Sequence, residues 1–231
     1  MSKENEGLRL TEVNDALRLE ITGNAEDGPE EYDRYVLKAK EVLKAHPGKR
    51  LQTFVNVKHT AELEFFLERG FYVYADMLIL EKELSGEDKP VKSGKNPVIE
   101  ILNVQRDGLK EYLAANKKGF DGVQDPEEQI VYQIGQPGGR IYVSRLGGRI
   151  VSSVTVWEIN EETIATENIF TVPRCREMGL CEELLTHVLS EMTGKGYKKA
   201  RLSVYGDDRP ALALYLKKGY HVTDTNHELR Y

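Results

Sequence analysis

Residues 167–183, Glu-Asn-Ile-Phe-Thr-Val-Pro-Arg-Cys-Arg-Glu-Met-Gly-Leu-Cys-Glu-Glu, set an apolar strand, a basic turn with one glycine and an amphipathic helix in direct succession. The first amides of a helix lack intrahelical acceptors and carry partial positive charge. With Arg174 and Arg176 beside them, and Gly179 letting the main chain come close, such a helix start suits a phosphate-bearing ligand.

No other cluster competes. Cys175 and Cys181 are the two cysteines, and neither has a second pair nor a histidine at ligand spacing, so no metal is expected. A disulfide at the helix start is conceivable, but two free, reduced thiols fit the chain better. His46, His59, His187, His221 and His227 form no HExxH-like group and read as ordinary surface or satisfied histidines.

The composition, 40% hydrophobic and 30% charged over 231 residues, is that of a globular protein with a real core. No run approaches the ~18 apolar residues of a membrane span. The start, Met-Ser-Lys-Glu-Asn-Glu-Gly, is too acidic for a signal or transit peptide, which gives the expectation of a cytoplasmic protein without a membrane partner. The net charge is −6 and neither half carries a basic excess, so no nucleic-acid partner is expected.

Certain elements must position the turn. Residues 85–97, with one apolar side chain, read as a linker between an N-terminal segment (1–84) and a C-terminal domain (98–231). After the linker, Val98–Val104 reads as a strand, Asp107–Lys118 as a helix, and Pro126–Ile134 as a shorter helix opened by its proline. Arg140–Arg145 and Arg149–Ile159 alternate as strands around the tight turn Gly147-Gly148, and Thr163–Val172 is the strand entering the basic turn. Leu180, Leu184, Leu185, Val188, Leu189 and Met192 then recur at helical spacing, up to Gly194 and Gly196. Ala200–Val204 is a strand, Asp208 caps a helix over Ala211–Lys218, and a last strand begins at Tyr220. The order is β-α-α-β-β-β-α-β-α-β.

The N-terminal segment looks like a shortened copy of that ending. Leu17–Ile21, Leu51–Val57 and Phe71–Glu81 read as strands, with helices over Glu30–Ala45 and from Thr60 to Gly70. A shift of 149 residues sets Gly70-Phe71 on Gly219-Tyr220, Phe66 on Tyr215, Leu67 on Leu216 and Val55 on Val204. This reads as an internal repeat.

The C-terminal domain resembles the GNAT superfamily of N-acetyltransferases. The family's Gln/Arg-x-x-Gly-x-Gly/Ala segment is matched by Arg176-Glu-Met-Gly179-Leu-Cys181, preceded by Ile169-Phe-Thr-Val172-Pro173. Its Asn-x-x-Ala-x-x-Leu-Tyr-x-x-x-Gly-Phe pattern is matched by Asp208-Arg-Pro-Ala211-Leu-Ala-Leu214-Tyr215-Leu-Lys-Lys-Gly219-Tyr220. Three positions depart from the family: Glu177 stands for a glycine, Cys181 for the final Gly/Ala, and Asp208 for asparagine. By this reading the N-terminal segment lacks the early strands and any such turn, and carries Phe66 where Tyr215 stands, as in a degenerate half-copy without its own cofactor.

The resemblance implies an α/β fold with a mixed sheet and acetyl-coenzyme A as co-substrate. Ile169, Phe170, Thr171 and Val172 would offer the strand edge to the pantetheine arm. Arg176, Glu177, Met178, Gly179, Leu180 and Cys181 would meet the pyrophosphate, with Asp208 and Tyr215 also at the cofactor. Arg174 is either a second charge partner or a solvated arginine. Acetyl transfer to an amine needs a proton acceptor, a hydrogen-bond donor for the oxyanion and a proton donor for the departing thiolate. A tyrosine, of pKa about 10, can be that donor; Tyr215 is the candidate, against the alternative of a core aromatic. Glu167 is the candidate base, against that of a structural strand carboxylate. Trp157, Glu158 and Tyr132 could line the acceptor pocket, but many ordinary core or surface residues would fit that place equally well, so none of the three is chosen.

The acceptor is then an amine of a small molecule or peptide, with the protein a monomer or homodimer. A catalytically weakened coenzyme A-binding sensor or interaction module is the alternative function. The N-terminal half-copy would complete the acceptor site or form an interaction surface.

Overall fold

A computed structural model describes residues 3–5, 7–21, 29–86, 91–105, 107–122 and 127–231. The chain packs as two compact units: residues 1–78 with 205–207 and 224–231, and residues 79–204 with 208–223.

In the first unit, β1 (Lys3–Asn5), β2 (Leu8–Val13) and β3 (Ala16–Ile21) form an antiparallel meander. Helix α1 (Pro29–Lys44) leads to β4 (Arg50–Asn56), parallel to β3, and α2 (Thr60–Glu68) leads to β5 (Tyr72–Glu83). Leu17, Leu19, Leu51 and Val55 point from the strands into a core with Tyr35, Val36 and Ala39 of α1 and Phe66 of α2. Early strands are therefore present in this half, contrary to the sequence reading. Leu8 and Leu10 are buried and Arg9 is exposed, an alternation short enough to be overlooked.

The second unit opens with β6 (Val98–Ile101), α3 (Asp107–Gly119) and α4 (Glu127–Gly135). Pro126, expected to open α4, lies outside the described residues. The strand β6 ends before the expected Val104 because Asn103 turns the chain, its Oδ1 accepting from Gln105 N–H at 3.0 Å. Next come β7 (Arg140–Leu146), β8 (Arg149–Asn160) and β9 (Thr163–Thr171), with Gly147 and Gly148 both at positive φ in the β7–β8 turn. Helix α5 (Leu180–Gly194), β10 (Lys199–Tyr205), α6 (Arg209–Lys217) and β11 (His221–Arg230) complete the chain.

Strands β6 to β9 pair antiparallel in order and β10 joins β9 in parallel, which makes the sheet mixed. Tyr112 of α3 and Ile130 of α4 pack with Ile141, Val143 and Phe170 of the strands. The apolar residues expected on one face of α5 are all buried, and Glu191 of that helix accepts from Tyr142 Oη of β7 at 2.7 Å. At the end of β11, residues 226–230 pair antiparallel with β4.

The 149-residue shift carries whole elements onto each other. It takes β4 onto β10 and α2 onto α6, with identical first and last positions. Gly70 and Gly219 have φ of 84° and 85°. The amides after them, of Phe71 and Tyr220, bond back to the carbonyls of Phe66 and Tyr215 at 3.1 and 3.0 Å.

Candidate active site

The site begins where β9 and β10 separate. Their backbone pairing runs from Thr163↔Lys199 to Ala165↔Arg201 and stops there. Beyond it, Glu167 Oε1 accepts from Ser203 N–H at 3.1 Å and from Ser203 Oγ at 2.8 Å, so a side chain takes the place of the neighbouring strand. Thr166 Oγ1 donates to the Arg201 carbonyl at 3.3 Å. On the other edge of β9, Thr155 faces Glu167 and Ser153 faces Phe170, so Asn168 and Ile169 together oppose one residue of β8. This is a β-bulge. Asn168 occupies the left-handed region at φ 48°, which asparagine tolerates better than most residues, and its Nδ2 donates to Gln133 Oε1 at 2.6 Å. The bulge lies at the first of the four strand positions, Ile169 to Val172, expected to face the pantetheine arm.

Strand β9 runs into one turn of 3-10 helix, Pro173–Cys175, which leaves Arg174 exposed. The loop then takes two left-handed residues, Glu177 at φ 62° and Gly179 at φ 74°, before α5 begins. The family's glycine preference at the first of these positions has its physical reason in that φ, which an L side chain adopts at a cost. Arg176, Glu177, Met178 and Gly179 are exposed. The first bond of the helix ladder is Glu183 N–H to the Gly179 carbonyl at 3.0 Å. The amides of Leu180, Cys181 and Glu182 therefore precede the ladder, at the positive end of a 15-residue helix.

The structure places the expected residues in different settings. Arg176 turns back onto the protein: Nη2 meets the Gly119 carbonyl at 2.8 Å and both Asp121 oxygens at 3.0 Å, and Nε meets the Thr171 carbonyl at 3.3 Å. Its charge is thus already shared with a carboxylate. Cys181, with a free thiol, turns toward the sheet, where the hydroxyls of Thr171 and Ser152 hydrogen-bond to it. Ser152 Oγ donates in turn to the Phe170 carbonyl at 2.8 Å. Burial pushes the Cys181 thiol up to about 12, the two hydroxyls only partly offsetting it. Asp208 caps α6, its Oδ1 accepting from Ala211 N–H at 3.1 Å.

Tyr215, on α6, is buried and packs its ring 6.0 Å from that of Tyr220. Burial raises its pKa well above 10, and the negative potential of Cys181, Glu167, Tyr220 and Asp208 raises it further. Tyr215 therefore stays a hydroxyl donor throughout the neutral range, with Cys181 at the start of α5 and Glu167 of β9 close enough to bias it. Of the three residues considered for the acceptor pocket, Glu158 accepts at Oε1 from Tyr197 Oη at 2.5 Å, Trp157 is half-buried and Tyr132 is exposed.

Sequence reasoning missed Ser203, Ser152, Asn168 and Gln133. Only Asn168, a turn-favouring residue inside a strand pattern, carried a local signal. Among the described residues no group of three or more His, Cys, Asp or Glu side chains is placed to hold a metal, and no helix is long and apolar enough to cross a membrane.

Solved structures share this fold along the chain. A GCN5-related N-acetyltransferase from Kribbella flavida superposes with a TM-score of 0.69 at 16% identity, over 100% of this chain and 88% of that one. A second, from Sphaerobacter thermophilus, gives 0.65 at 17%, over 97% and 76%. A tandem GNAT protein from the clavulanic acid biosynthesis pathway gives 0.69 at 14%, over 97% and 78%. At these identities the likeness is one of fold. No curated protein matches the chain. The family model described as "Acetyltransferase (GNAT) family" matches residues 107–220, the stretch that holds the splayed strands, the left-handed loop and Tyr215, and these residues are a domain of that family.

Proposed function

We propose that the protein is an acetyl-coenzyme A-dependent N-acetyltransferase acting on a primary amine of a small molecule or peptide. One observation carries the reading: β9 and β10 part after Ala165 and Arg201, beside an exposed glycine-led helix start. A splay of this kind frees main-chain groups of Ile169, Phe170, Thr171 and Val172 for an extended amide-bearing arm. The amides of Glu177 to Cys181 suit a diphosphate, since Gly179 adds no side chain and the Cys181 thiol is turned to the sheet. Bound there, acetyl-coenzyme A supplies an activated acetyl group as a thioester.

In this reading Tyr215 keeps its proton and gives a hydrogen bond or that proton to the departing sulfur. Glu167 accepts the proton of the attacking amine, directly or through a water, while its Oε1 stays held by Ser203. Arg176 organises the loop through Asp121 and Gly119, and lends the diphosphate only part of its charge. The carboxylate of Glu177 opposes the anion from an exposed position. The first 84 residues form a degenerate half-copy joined by the linker to the catalytic domain, with the coincident elements under the 149-residue shift as support.

Two features favour the sensor reading instead: the extra carboxylate of Glu177 and the commitment of Arg176 to Asp121. The test is release of free coenzyme A from acetyl-coenzyme A across a panel of polyamines, amino sugars and peptides. Acceptor-dependent release supports the transferase. Binding of coenzyme A without release across the panel overturns it in favour of the sensor.

A further inference from the structure

The described residues of the linker, 85–86 and 91–97, do not hang free of the C-terminal domain. The linker's described ends lie at the two ends of α5. A side chain built at Gly86 would stand 3.8 Å from Thr193 Cγ2, near the helix C-terminus. Ser93 lies at the other end, its Cα 3.5 Å from the position a Cβ of Gly179 would take.

A specific bond fixes that second contact. The Ser93 N–H donates to Glu183 Oε2 at 2.9 Å. Glu183 is 8% exposed, and a carboxylate buried so deeply needs a donor. Ser93 Oγ then accepts from Lys95 N–H at 3.2 Å, which turns the chain on the spot. Gly179 and Glu183 are one helical turn apart, so Ser93 lies along the flank of the helix mouth and leaves Gly179 exposed. Lys92 and Lys95, on either side of this anchor, are both exposed. Neither makes an ion pair among the described residues.

We propose that residues Lys92 to Lys95 form a wall of the phosphate site, held in place by Glu183, and that they add two cations to the amide cradle. The inference rests on the coenzyme A reading above. The cradle needs such charge, because Arg176 is shared with Asp121 and the loop itself carries Glu177. A ligand bearing a diphosphate draws both lysines onto the rim, so its binding steadies the segment already docked on α5 through Ser93.

The test uses the full chain and coenzyme A. Trypsin cleaves after Lys92 and Lys95, with cleavage mapped by mass spectrometry; binding is followed separately by thermal shift and calorimetry. Coenzyme A is expected to slow cleavage at both bonds about tenfold, a change of some 1.4 kcal/mol in linker opening. Glu183→Ala, which removes the acceptor of the Ser93 amide, is expected to speed cleavage without ligand, and Glu183→Gln, which keeps an oxygen there, to leave it near the wild-type rate. The exposed pair Lys92→Ala/Lys95→Ala is expected to bind coenzyme A about tenfold more weakly at low salt, the difference shrinking as salt rises. A merely structural role would not produce that salt dependence. Should coenzyme A bind with unchanged cleavage and the double variant bind as the wild type, the linker inference is overturned and the transferase reading stands. Absence of any coenzyme A binding overturns both.

Discussion

Glu167 and Ser203 hold β9 and β10 apart. The Oε1 of Glu167 takes both the amide and the hydroxyl of Ser203, two residues past the last backbone pair, so the strands stay bridged while their main chains diverge. A carboxylate in that place serves as spacer, and in the proposed reaction it would also be the base.

The two roles separate by substitution. Glu167→Ala leaves the Ser203 amide without its acceptor and is expected to cost about 1–3 kcal/mol of stability in denaturant unfolding. Glu167→Gln keeps an oxygen acceptor and is expected to cost under about 1 kcal/mol, yet to lower kcat at least about tenfold, because an amide cannot take a proton. A Gln variant with full kcat would leave Glu167 as spacer alone.

Tyr215→Phe is expected to lower kcat by about 10²-fold, with coenzyme A affinity within about twofold of wild type. Because burial holds the Tyr215 proton well above pH 10, the wild-type rate should show no alkaline decline from this residue below that pH. Steady-state kinetics across pH 6–10 check both points.

Glu177 sits at φ 62°, where glycine carries no steric penalty. Glu177→Gly removes strain of about 1–2 kcal/mol, partly offset by the greater freedom of glycine in the unfolded chain. It also removes a carboxylate from the loop. Coenzyme A is expected to bind several-fold more tightly while thermal stability stays level or rises; weaker binding in calorimetry would mean that the carboxylate helps hold the loop.

The Cys181 thiol gives a pH signature. Its folded pKa of about 12 lies above the ordinary value of 9.0, so the folded state favours the protonated thiol. The stabilisation is complete below pH 9 and is lost as pH rises from 9 toward 12. Thermal melts should therefore decline above pH 9, with Cys181→Ser delaying the onset. Below pH 9 the folded thiol should resist alkylation, a result that mass spectrometry of iodoacetamide-treated protein reads directly.

Asp208 acts in the fold through its cap. Asp208→Asn retains an oxygen for the Ala211 amide and should be nearly neutral, whereas Asp208→Ala should cost about 1 kcal/mol. Denaturant midpoints compare the three proteins.

Much of this was legible from the chain. The apolar spacing from Leu180 to Met192 fixed the long helix, and the alternation around Gly147-Gly148 fixed the hairpin, because each pattern is local. The site's details depend on residues far apart in sequence. Nothing local ties Glu167 to Ser203, Arg176 to Asp121, or Ser93 to Glu183; these pairs exist only once the sheet and α5 are assembled. The bulge at Asn168 likewise needs β8 as its reference.

The central claim is tested most directly by calorimetric titration of coenzyme A into the wild type and Gly179→Asp. Aspartate adopts the left-handed backbone at this position at less cost than most residues, its Cβ would stand in van der Waals contact with Ser93, and it adds a carboxylate at the cradle. One ligand per wild-type chain is expected, with a loss of at least about tenfold in affinity for the variant and a melting temperature lowered by no more than the left-handed backbone costs, about 1–2 kcal/mol of stability. Equal affinity in the two proteins would contradict it.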